Sequence, residues 1–133
     1  MIGIVIVAHG GLAQEYKAAM EHVVGTLPNV AAIGISAECD RGKKTEQIRQ
    51  AVQQVETGNG VILVTDMYGG SPANLSLPAC SHNNHRVLYG ANLPMLLKLA
   101  KCRANPIDVA ITKAVEAGRK YLNCLPVQPL ETS

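Results

Sequence analysis

The chain has 133 residues, of which 47% are hydrophobic and 17% charged, and its formal net charge at pH 7 is +2. This length predicts one domain, spanning 1–133, with a core of aliphatic side chains, because Trp and Phe are absent. The small charge and the lack of a Lys/Arg run argue against a protein that binds nucleic acid.

The amino-terminal apolar run and the cysteine pattern indicate the compartment in which the protein is expected. The apolar run at the amino terminus is too short to cross a membrane, and it lacks the basic start and cleavage site of a signal peptide. The four cysteines are scattered and form no C-x-x-C pair, so we expect free thiols in a reducing compartment and neither a metal site nor a cofactor. We therefore expect a cytoplasmic protein.

Strands and helices are predicted to alternate along the chain. A β-branched run predicts a buried first strand that ends near His9, and Gly10 and Gly11 then allow a sharp turn. Further apolar runs predict strands at 30–36, 61–65 and 86–89. Apolar residues at helical spacing predict helices at 12–25, around 48–55 after a polar connection at 38–44, from Ser71 to about Pro78, at 93–102 and from about 106 to 121.

This alternation favours an α/β fold, with a mostly parallel open sheet of about four strands and helices on both faces. The segment 122–133 contains prolines and is expected to form either an antiparallel edge strand or a tail. In the glycine-rich loop after the third predicted strand, Ser71 is predicted to cap the following helix and Pro72 to be its first residue. His82 and His85 are expected in an exposed polar turn.

Polar residues follow each predicted strand: His9, the region 36–40, Asp66 with Ser71, and Asn92. Because the carboxyl ends of parallel strands share one edge of the sheet, these groups are expected to converge there. A carboxylate bonded to one ring nitrogen fixes the tautomer of a histidine and leaves the other lone pair free. Glycine amides and helix N-termini suit a phosphate. The set therefore predicts a histidine that accepts a phosphoryl group.

Three motifs carry a resemblance to a known family. AHGG after the first strand, DMYGGSP after the third and GANLPMLL after the fourth resemble the enzyme IIA domain of the mannose family of the bacterial sugar phosphotransferase system. The likeness covers about 1–121. It implies that His9 takes a phosphoryl group from phosphorylated HPr and passes it to an enzyme IIB. It also implies that Asp66 orients His9 through Nδ1 and leaves Nε2 as the nucleophile.

The resemblance has further implications. Gly10, Gly69, Gly70 and Ser71 would surround the phosphoryl group, and Asn92 would lie in the same pocket. The family suggests a homodimer, in some members with an exchanged C-terminal strand, and contact with a membrane only through a permease complex. No cofactor is implied.

Other functions share parts of this pattern. A regulatory protein whose phosphorylation state is read by a partner would need the same histidine but no permease. Histidine phosphatases carry R-H-G where this chain has Ala8 before His9. Small metal chelatases also begin with a strand ending in H-G, but they use further histidines, and the remaining ones here are predicted on a helix or in a turn. The sequence leaves open which sugar is involved.

Overall fold

The computed structural model describes residues 1–67 and 69–128. The strands are Gly3–His9 (β1), Val30–Ile35 (β2), Val61–Thr65 (β3) and His85–Leu88 (β4). The helices are Leu12–Val24 (α1), Arg41–Val55 (α2), Ser71–Ser76 (α3), Leu93–Lys101 (α4) and Ile107–Lys120 (α5), and a 3₁₀ turn at Leu77–Ala79 follows α3. The predicted alternation of strands and helices is confirmed.

The four strands form one parallel sheet in the order β2-β1-β3-β4. Strand β1 is central, so Ile4 pairs with Val30 on one side and with Ile62 on the other. A strand covered on both faces needs apolar side chains at every position. Ile4, Val5, Ile6 and Val7 are accordingly fully buried.

Helices cover both faces of the sheet, as predicted. Alternate side chains of a strand point to opposite faces, so Ile4 and Ile6 pack in a cluster with residues of α1, α4 and α5. Val5 and Val7 pack in a second cluster with residues of α2 and α3. His9 ends β1, and Asp66 directly follows the neighbouring strand β3.

Three local predictions were wrong. Helix α2 begins at Arg41, inside the predicted polar connection, because the side chain of Asp40 caps it by accepting a hydrogen bond from the Lys43 amide at 3.0 Å. Gly70, rather than Ser71, is the N-cap of α3, and Ser71 is its first residue. His85 lies in β4 and is buried, instead of in an exposed turn.

The carboxyl-terminal segment does not add a strand within the described residues. Residues 122–128 have no regular secondary structure, and 129–133 lie outside the described part of the chain. The antiparallel edge strand is therefore not seen among the residues that can be described. In that same part, no helix is long and apolar enough to span a membrane.

Candidate functional site

The backbone turns sharply where β1 ends, and this turn presents His9. Gly10 adopts φ +57°, a left-handed conformation that suits glycine. The Gly10 amide donates to the carbonyl of Ile35 at 2.9 Å, which ties the turn to the neighbouring strand β2. A Cβ on Gly34 would lie only 2.3 Å from the Gly10 carbonyl oxygen. Gly34 is therefore required for the approach of β2, a role that the sequence analysis missed.

Asp66 follows β3 and holds both the ring and the backbone of His9. Its Oδ2 lies 2.7 Å from His9 Nδ1 and accepts a hydrogen bond from the His9 amide at 3.1 Å. Burial by itself would raise the pKa of Asp66, but the hydrogen bonds from His9 outweigh it and lower the pKa below its ordinary value. The carboxylate therefore stays ionised, and its Oδ2 can accept a proton carried on His9 Nδ1.

The opposite edge of the ring faces open space. The His9 side chain is 48% exposed whereas that of Asp66 is 12% exposed. A Cβ on Gly70 would lie 3.0 Å from Cε1 and 3.4 Å from Nε2 of His9. Glycine at this position therefore keeps the side of Nε2 clear, and no described residue hydrogen-bonds to Nε2.

The loop between β3 and α3 lines this open side. Gly69 has φ +81°, which again suits glycine, and Gly70 precedes the first turn of α3 without a side-chain cap. Met67 in the same loop is 54% exposed, and Tyr68 lies outside the described residues. Within its described residues, the loop thus brings the backbone of Gly70 next to the ring, with Met67 Cγ 3.4 Å from the position of a Cβ on Gly70.

Asn92 has a structural use. Its Oδ1 accepts a hydrogen bond from the Met95 amide at 3.0 Å, which caps α4. Its Nδ2 donates to the carbonyl of Gly118 at 2.9 Å, which ties α4 to α5. Both ends of the amide are engaged, and contact of Asn92 with a phosphoryl group stays a prediction.

Tyr16 is a second residue near the site that the sequence analysis missed, since its position in α1 indicated only a core contact. Its hydroxyl donates to the carbonyl of Ala91 at 3.2 Å. Burial raises the pKa of Tyr16, and the negative charge of Asp66 raises it further. The phenol therefore remains a neutral hydrogen-bond donor to the Ala91 carbonyl.

The other histidines do not join His9. His22 is exposed on α1, and His82 is exposed, as predicted. His85 is buried at the start of β4, the end of the sheet opposite to His9, where its Nδ1 accepts from the Ser81 amide at 3.3 Å. Within residues 1–67 and 69–128, no three His, Cys, Asp or Glu side chains cluster in a way that could hold a metal ion.

Comparison with known families identifies the chain. Residues 3–116 match the EIIA-man family model, described as "PTS system fructose IIA component". The chain belongs to this family. EIIA-man proteins are phosphotransferase-system components that carry phosphoryl groups between proteins, and the resemblance predicted from the three motifs is confirmed.

Curated relatives agree with this assignment. The chain is 29% identical over 133 residues to the "PTS system mannose-specific EIIAB component" of Escherichia coli K12, and the match covers 98% of the chain but 41% of that protein. It is 30% identical over 108 residues to the "PTS system sorbose-specific EIIA component" of Lacticaseibacillus casei, covering 80% of the chain and 77% of that protein. The chain thus spans less than half of the mannose-specific relative.

Solved structures share the fold. A phosphotransferase-system EIIA component from Streptococcus agalactiae superposes with a TM-score of 0.77 at 25% identity, covering 93% of this chain and 97% of that one. A mannose/sorbose-specific IIA subunit from Enterococcus faecalis superposes with a TM-score of 0.82 at 23% identity, covering 97% and 98%. The parallel sheet and its helical layers are therefore those of EIIA-man proteins.

Proposed function

We propose that His9 is the residue of this EIIA-man protein that carries the phosphoryl group, on Nε2. One observation carries the proposal: Asp66 Oδ2 lies 2.7 Å from Nδ1, while the side of Nε2 is kept clear by Gly70. A carboxylate at Nδ1 holds the proton there, so the lone pair stays on Nε2. The nucleophile is thereby oriented outward, towards a partner protein.

The transfer needs positioning more than covalent help. The Nε2 lone pair of His9 attacks the phosphorus of the donor phosphohistidine in line, a new N–P bond forms, and the N–P bond of the donor breaks. The ring of His9 gains positive character during this step, and the Asp66 carboxylate stabilises it. The phosphoryl oxygens are surrounded by the backbone of Gly10, Gly69, Gly70 and Ser71. In the onward step, the acceptor attacks the phosphorus in line, and the bond between phosphorus and Nε2 of His9 breaks.

The partners follow from the same role. The donor is phosphorylated HPr and the acceptor is an enzyme IIB, in the cytoplasm, with the membrane involved only through a permease complex that imports a sugar. Residues 1–133 act as a single IIA domain. The names of the relatives, mannose-specific and sorbose-specific, favour a hexose or a related sugar as cargo.

We further propose that the protein is a homodimer that buries its carboxyl-terminal segment. Leu122, Leu125 and Val127 are 80%, 83% and 86% exposed in a single copy. Such a run of apolar side chains favours a covered position against a second copy.

The proposal on His9 is tested by phosphorylation with enzyme I, HPr and labelled phosphoenolpyruvate. Wild-type protein should take up one acid-labile label, and His9→Ala should take up none while keeping its circular-dichroism spectrum. His22→Ala, which changes an exposed histidine on α1, is the matched control and should label normally. Acid-labile label that persists in His9→Ala would refute the assignment.

A further inference from the structure

Tyr16 links the helix that follows His9 to the loop that is hydrogen-bonded to Thr65, the residue before Asp66. It lies in the second turn of α1, the helix that follows His9 and its glycine turn. Its hydroxyl donates to the Ala91 carbonyl at 3.2 Å, in the loop between β4 and α4. The Ala91 amide in turn donates to the carbonyl of Thr65 at 3.1 Å, and Thr65 directly precedes Asp66. The bonds run from the helix beside the nucleophile to the backbone beside the carboxylate.

Asp66 has few other restraints. Among the described residues, its carboxylate accepts hydrogen bonds from the ring and the backbone of His9 and is stabilised by its own backbone amide, while its Oδ1 is buried without a hydrogen-bond partner. The Thr65 hydroxyl is likewise buried and unpartnered there. One restraint on Asp66 that does not depend on His9 is therefore the hydrogen bond from the Ala91 amide to the carbonyl of Thr65, the residue before it.

We propose that Tyr16 is a positioning residue for phosphoryl transfer, which fixes the Ala91 loop and, through Thr65, the carboxylate of Asp66 relative to the imidazole of His9. This inference rests on the proposed function of His9. Tyr16 touches neither the ring nor the phosphoryl group in this role, and it acts through Asp66. It remains a hydrogen-bond donor at neutral pH, because burial and then the negative charge of Asp66 raise the pKa of its phenol.

The test compares phosphorylation rates of Tyr16→Phe and wild type. The variant keeps the ring that packs against the core and removes only the hydroxyl. Loss of one hydrogen bond should lower the rate about fivefold. Tyr121→Phe is the matched control, since that phenol is 67% exposed at the end of α5 and lies under Lys120, and it should leave the rate unchanged.

Two readouts separate positioning from a general loss of stability. The ¹⁵N spectrum of the His9 ring should show the Nδ1–H tautomer in wild type and a gain of the Nε2–H tautomer in Tyr16→Phe. In a double-mutant cycle, Tyr16→Phe should have no further effect in an Asp66→Asn background, because its influence passes through that carboxylate.

The inference would be overturned if Tyr16→Phe were phosphorylated at the wild-type rate. It would also be overturned if Tyr16→Phe lowered the rate by the same factor in the Asp66→Asn background as in the wild type. Either result would leave His9 labelled normally, so the proposed function would stand. Failure of the wild-type protein to label on His9 would instead refute the proposed function itself.

Discussion

At the residue scale, the candidate site depends on one carboxylate oxygen, Oδ2 of Asp66, and on glycine at position 70, which has no side chain to crowd the ring of His9. Oδ2 of Asp66 bonds to both the Nδ1 and the backbone amide of His9, which fixes the ring in two places. Both residues could be predicted from the sequence, because each ends an apolar run and such positions converge in a parallel sheet. The spatial roles of Gly34 and Tyr16 could not, because they depend on contacts between separate elements.

Gly70 gives a prediction at this scale. Gly70→Ala should reduce the rate of His9 phosphorylation on the order of a hundredfold, because its Cβ would lie 3.0 Å from Cε1 and 3.4 Å from Nε2. The backbone of Gly70 has φ −86°, which alanine adopts without strain, so the fold should survive. Labelling kinetics measure the effect.

Gly11→Ala is the control for this steric argument. Gly11 lies in the neighbouring turn with φ −91°, and a Cβ there would meet no heavy atom within 4 Å. Its phosphorylation rate should match that of wild type. If Gly70→Ala also reacted at the wild-type rate, the space beside Nε2 would not be the phosphoryl site.

At the element scale, the hydrophobic pattern predicted the strands and most helices, and the errors came from contacts that a pattern does not contain. Alternation between short apolar runs and helical spacing is enough to order β1 to β4 and to place helices on both faces. The start of α2 depends on one capping bond from Asp40. His85 is buried beside the end of α2, where the C-cap residue Glu56 places its Oε2 3.7 Å from His85 Nε2.

His85 gives a prediction for the acid side of the stability curve. Burial lowers its pKa, the nearby His82 lowers it further, and Glu56, whose Oε2 is 3.7 Å from Nε2, opposes this only in part. The Ser81 amide also donates to Nδ1, which favours the neutral ring. The unfolded chain therefore binds a proton more readily than the folded one.

It follows that the free energy of unfolding should fall as the pH drops through the ordinary histidine pKa of about 6.5, with a slope of at most ~1.4 kcal/mol per pH unit from this residue. His85→Asn, which retains an acceptor for the Ser81 amide, should lack this part of the slope. Urea denaturation between pH 5 and 7.5 (roughly the histidine range) measures it. His22→Asn, which changes an exposed histidine, is the control. If the free energy of unfolding of His85→Asn kept the same slope against pH as that of the wild type, His85 would not take up a proton when the chain unfolds.

At the scale of the whole molecule, the sheet order determines which groups meet. Because β1 and β3 are adjacent and parallel, His9 and Asp66 come together although 57 positions separate them in the chain. The sequence predicts a parallel sheet but not its strand order, since several orders satisfy the same alternation. The resemblance to a family implied that Asp66 faces His9, but it gave no strand order.

The exposed carboxyl-terminal segment gives a prediction about assembly. The 133-residue chain should sediment as a dimer, and a chain shortened to 1–121 should sediment as a monomer, because it lacks the apolar side chains at 122–127. Sedimentation velocity at matched concentrations distinguishes the two. If the 133-residue chain were a monomer, or if the dimer survived the truncation, this segment would be excluded as the link between copies.

The central claim is that the phosphoryl group resides on Nε2 of His9, and ¹⁵N–³¹P correlation on the uniformly ¹⁵N-labelled, phosphorylated protein tests it most directly. The geometry predicts coupling of phosphorus to Nε2 of His9, with Nδ1 still protonated and facing Asp66 at the 2.7 Å contact. Coupling to Nδ1 of His9, or to a ring nitrogen of any other histidine, would contradict it.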